Sequence, residues 1–129
     1  MVRMCPRPAR FDHIPAAEPR LHEGVQLFNA GKYFESHEVW ESLWHDVGGV
    51  EREFLQGLIQ LAAAYYHGVR GNVPGALFLA ERARRRLAPW QPMHAGMLVR
   101  ELLNWLDEDL AHLRERSAPS RRRTILMGR

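Results

Sequence analysis

Residues 54–69 read FLQGLIQLAAAYYHGV, the longest stretch of the chain without a charged side chain. Sixteen residues fall short of the ~20 that a membrane helix needs, and two glutamines and a histidine interrupt the apolar character. On a helical wheel with Phe54 at the origin, Leu58, Leu61 and Tyr65 share its side. Gln56, His67 and Gln60 fall together at about 200°, 220° and 240°. The segment is therefore apolar or small nearly all round, with one narrow polar stripe. A helix of that kind is the central, buried one of a helical protein.

The flanking sequence supplies its neighbours. Gly48-Gly49 precedes it and Gly71-Asn72 follows, so the connections on both sides are short. Periodicity predicts helices over about 19–30, 33–47, 50–69, 73–87 and 94–116, with Asn72 as an N-cap and Pro74 in the first turn of the fourth. Leu98, Leu102, Leu106, Leu110 and Leu113 mark the buried side of the fifth. The break between the fourth and fifth is Ala88-Pro89-Trp90-Gln91-Pro92. No stretch alternates as a strand between hairpin turns, so the expected class is all-α, a five-helix bundle of antiparallel helical hairpins. Residues 18–116 form this bundle, preceded by an arm (1–17) and followed by a frayed basic tail (117–129).

The two hairpins echo each other at a spacing of forty. Gly24, Gly31, Tyr33, Ser36, Trp40 and Leu43 recur as Ala64, Gly71, Val73, Ala76, Ala80 and Ala83. A small residue at a helix contact, a glycine at the turn and small residues in the following helix resemble the tetratricopeptide pattern, though not its period.

The formal charge of +3 on 129 residues is unevenly placed. Residues 117–129 carry +4 and residues 1–17 carry +2, which leaves −3 on the body. A nucleic-acid surface belongs to a fold rather than to its ends, so nucleic acid is not an expected partner. Seventeen of the eighteen basic residues are arginine, as expected of genome composition rather than phosphate recognition. The single cysteine, Cys5, excludes an internal disulfide and fits a reducing compartment. The N-terminal residues lack the apolar segment of a secretory signal, and the expected location is cytoplasmic.

The chemistry-bearing residues concentrate in 33–44, YFESHEVWESLW. On the second helix His37 and Glu41 fall on the aromatic side with Tyr33, Trp40 and Trp44, and Glu38 lies at its edge. If this face packs on the polar stripe of the third helix, His37, Glu38 and Glu41 meet Gln56, Gln60 and His67. One reading is a closed hydrogen-bond network fixing helix register. Another is an H-E-x-x-E metal motif of a hydrolase, with His37, Glu41 and His67 as ligands of a divalent cation and Glu38 as general base. A third is a pocket for a small ligand or protein partner, and a fourth a peptide groove between the two hairpins. Homodimerisation through apolar surface left on the fifth helix fits so small a bundle. Trp40, Trp44, Trp90 and Trp105 read as core. The run Arg82–Arg86 suits a helix C-terminus and can pair with Asp107–Asp109. His13, His22, His45, His94 and His112 occupy polar or loop positions. No phosphate loop, nucleophile triad or CxxC pair is present.

The segments FNAGKYFESHEVWESLW and FLQGLIQLAAAYYHGVRGNVPGAL closely resemble domain-of-unknown-function family 309, small helical proteins, over about residues 20–87. The shared positions include Phe28, Gly31, His37, Glu38, Glu41, Gln56, Gln60, His67 and Asn72. Ser36 stands where the family more often has alanine. The resemblance implies an all-helical fold and a polar cluster common to the family, and it names no reaction.

Overall fold

The computed structural model describes residues 9–15, 17–116 and 122–128. Five α-helices carry the described residues: α1 (Pro19–Asn29), α2 (Tyr33–Asp46), α3 (Glu51–Val69), α4 (Val73–Leu87) and α5 (Val99–Arg114), with a 3₁₀ turn over Ala88–Trp90. Among the described residues there is no strand, only isolated bridges, and no helix is long and apolar enough to cross a membrane. The fold is all-α, as the periodicity predicts.

Successive helices fold back on one another, and their contacts record it. Between α1 and α2, Ser36 donates its hydroxyl to the carbonyl of Gly24 (2.8 Å) and Trp40 its indole N–H to that of Leu21 (3.2 Å). One index rises as the other falls. The same holds between α2 and α3, where Tyr33 lies against Tyr65 and Arg52 stacks 3.6 Å over the Trp44 ring. It holds again between α4 and α5, where Arg84 pairs with Asp107 (2.8 Å) and Arg114 with Glu81 (3.7 Å). The core runs through every interface, with Phe28, Trp40, Phe54, Leu58, Leu87 and Leu106 all fully buried. As expected of the central helix, α3 is buried on most of its circumference.

The two turns within the hairpins are built alike. Gly31 and Gly71 have φ of +79° and +80°, the left-handed conformation that glycine adopts without steric cost. The amide after each bonds back to its helix, Lys32 to Leu27 (2.8 Å) and Asn72 to His67 (2.9 Å). Asn72 then caps α4, its side-chain oxygen accepting from the Gly75 amide at 3.1 Å.

Within the hairpins the echo has opposite packing consequences. In the first, Trp40 lies flat on the backbone of Gly24, where even a methyl group would collide with the indole. In the second, the corresponding pair is Ala80 and Ala64, both 2% exposed. The first hairpin is closed by a large ring; the second has only methyl groups at that place.

Two segments differ from expectation. The fifth helix begins at Val99 rather than near His94. Ala95 and Gly96 both have positive φ, which no right-handed helix accommodates, and they make a tight reversal closed by His94 and Met97 exchanging backbone bonds (3.0 and 2.8 Å). The described part of the C-terminal segment, 122–128, is not frayed. Ile125 is 2% exposed, and its backbone N–H and C=O both bond to the side chain of Asn29 (2.8 and 3.1 Å). Arg123 reaches Asp109 (2.9 Å) and Glu108 (2.8 Å), and Leu98 bonds to Leu126 (2.9 Å). A seven-residue strap thus crosses the end of α1, α5 and the loop before it. Residues 117–121 and 129 lie outside the described residues, as do 1–8, which include Cys5. Of the arm, Phe11 bonds to Asp46 (2.9 Å) and Ile14 is buried.

Candidate functional site

The polar residues of α2 and α3 take separate positions. His37 is 28% exposed, stacks on Phe34 and sits 3.4 Å from Glu41, one helical turn on. Glu41 and Glu38 are exposed and, with Ser42, His45 and Asp46, line a shallow depression on the outer side of α2. Gln60 is 9% exposed, and neither its side-chain oxygen nor His37 Nδ1 has a hydrogen-bond partner among the described residues. Gln56 is half-buried. His67 is at the far end of α3, edge-on to Tyr66 and 3.2 Å from the Asn72 amide.

The expected ligand set of His37, Glu41 and His67 is not assembled. Among the described residues no group of three or more His, Cys, Asp or Glu side chains stands where it could hold a metal ion. The reason is axial. Tyr33 lies beside Tyr65 and Trp44 beside Arg52, so α3 is read backwards as α2 advances. His67 is therefore level with the start of α2, while Glu41 lies eight residues further on, about 12 Å along the axis at 1.5 Å per residue. A wheel shows the angle of a side chain and hides its height.

A different constellation occupies the second hairpin. Between α3, α4 and α5 lies a cavity of about 330 Å³. Its floor is Gly68 with Ala64, Ala76 and Ala80, small residues of the echo, and Leu106 and Leu113 line it from α5. The missing counterpart of Trp40 leaves this space open. Tyr33 and Tyr65 wall the end nearest α2, their ring centroids 5.6 Å apart, and Arg122 of the strap stands at the rim.

The polar end is electrostatically ordered. Asp109, 1% exposed, accepts a short hydrogen bond from the Tyr65 hydroxyl and a forked pair from the Arg123 guanidinium. Bonding to Asp109 raises Arg123 above the ordinary arginine range, which keeps the guanidinium charged. Burial lifts the Tyr65 phenol well above its usual value, and the Asp109 charge lifts it further. Tyr33 is raised for the same first reason, with Arg122 working in the opposite direction. Both phenols hold their protons at neutral pH. Asp109 is thus already satisfied, whereas Arg122 makes no ion pair among the described residues. Its guanidinium lies over Gly31, 3.4 Å from where a β-carbon would stand.

Sequence reasoning missed this site because it weighted histidines and glutamates. The usable signal was the echo, where the tryptophan of one hairpin becomes alanine in the other. It also passed over His94, whose ring packs on Trp90 (4.4 Å) and Phe54 (4.8 Å), with Nε2 2.6 Å from Glu51 but off the line of a hydrogen bond.

No curated protein matches the chain. Residues 21–79, from α1 into α4, match the family model described as a domain of unknown function (DUF309), the family that the sequence of the second and third helices resembles.

Proposed function

We propose that this protein binds a small organic ligand in the cavity between α3, α4 and α5. The carrying observation is a pocket of about 330 Å³, open on one side to solvent and floored by four residues no larger than alanine. Its size and apolar lining with a few polar groups at one end are those of a ligand site. The reading keeps the expected class of function, a ligand-binding bundle, and moves the pocket from the His37/Glu41 cluster to the second hairpin.

The test is to fill the cavity. Ala80→Leu places a branched side chain where Trp40 stands in the first hairpin. Wild-type and variant protein are melted against a panel of small aromatic and aliphatic compounds, neutral, anionic and cationic. The expected outcome is that at least one compound raises the wild-type Tm by several degrees and leaves Ala80→Leu unmoved, while the variant without ligand melts no lower than wild type. Equal responses of the two proteins across the panel overturn the proposal.

A further inference from the structure

Resting on that reading, the geometry points to the class of ligand: we infer that the cavity selects a compound with one carboxylate and a short apolar body. The lining holds two kinds of group. The small floor residues and the α5 leucines offer no hydrogen bond to a guest, so they suit a hydrocarbon or aromatic body. The polar groups are those of Tyr33, Tyr65, Asp109 and Arg122, and they are not of equal use. Asp109 is fully engaged by Arg123 and by the Tyr65 hydroxyl, so the acid in the wall neither attracts a cation nor repels an anion as a bare carboxylate would.

What is left to act on a guest is a donor set. Arg122 stands at the rim without an ion pair among the described residues. Tyr33 is close enough to feel both Arg122 and Asp109, and its hydroxyl has no hydrogen-bond partner among the described residues. Because burial keeps this phenol protonated, it donates rather than repels. A guanidinium fork beside a phenol O–H is the complement of a carboxylate. The strap fixes the position from its C-terminal side: Asn29 bonds both the N–H and the C=O of Ile125 and Arg123 is locked to α5, so Arg122 directly precedes an anchored stretch. Gly31 completes the seat: the guanidinium lies 3.4 Å from where its β-carbon would stand, and the φ of +79° there suits glycine.

The experiment uses phenylacetate, its uncharged amide and benzylamine as probes, with binding followed by calorimetry on the full chain. Wild type is expected to bind phenylacetate at least tenfold more tightly than the amide and not to bind the amine. Arg122→Gln is expected to erase that preference by lowering phenylacetate affinity tenfold or more while the amide is unchanged. Tyr33→Phe is expected to weaken phenylacetate severalfold without altering the fold by circular dichroism. If wild type binds acid and amide equally, or Arg122→Gln weakens both alike, the carboxylate inference is overturned and the cavity itself stands. If no probe binds wild type, the inference also fails, and the Ala80→Leu panel decides separately whether the cavity takes any ligand.

Discussion

His37 shows how one side chain can belong to a motif without completing it. Its imidazole is held by Phe34 on one side and by Glu41 on the other, and its buried Nδ1 finds no partner among the described residues. An exposed i,i+4 pair is worth only a few tenths of a kcal/mol, and an unsatisfied buried nitrogen works against stability. His37→Leu is therefore expected to change the unfolding free energy by no more than about 1 kcal/mol in urea melts. A loss well beyond that would show that the histidine anchors an internal network after all. At this scale the sequence was legible in part. The His37–Glu41 contact follows from spacing alone. The separation of His67 from both does not, because helix periodicity carries no information on the relative height of two packed rods.

Among the elements, the strap over 122–128 departs furthest from what composition suggests. Its arginines read as a solvated tail, yet Arg123 enters a buried arrangement with Asp109. Removing one member of a buried pair strands the other charge, so Arg123→Met is expected to cost about 3 kcal/mol. A urea or thermal melt checks this directly. A loss below about 1 kcal/mol would mean that Tyr65 and water compensate Asp109 without the arginine. The strap was not legible because a local reading sees three consecutive arginines and cannot see the acid on α5 that waits for one of them. By contrast, the helices α2, α3 and α4 end within a residue or two of where their glycines and caps place them. Turns such as Gly31 and Gly71 are dictated by backbone conformation, which is a local property. The start of α5 was misjudged for a related reason: Ala95-Gly96 is a compact reversal that leucine periodicity running past it conceals.

For the whole molecule, the interior polar group makes stability depend on alkaline pH. Tyr65 is raised well above its ordinary value of 10.0 by burial and by Asp109, and Tyr33 is raised as well. Above the unfolded value the unfolded chain gives up protons that the folded chain keeps, so stability falls as pH rises beyond about 10 and continues to fall toward the folded value. Tyr65→Phe is expected to flatten the decline between about pH 10 and 11, while starting lower at pH 8 because Asp109 loses a donor. Urea melts over that range, wild type against variant, measure the two slopes; parallel slopes would show that Tyr65 does not carry the effect. The sequence by itself determined the helical class, the order of the helices, the central place of α3 and the two glycine turns, because periodicity and backbone conformation act over a few residues. Only the tertiary structure decided where the space is. A cavity is a relation between surfaces far apart in the chain: Ala64 and Ala80 across one hairpin, Leu106 on α5, and an arginine carried back by a strap to the turn at Gly31.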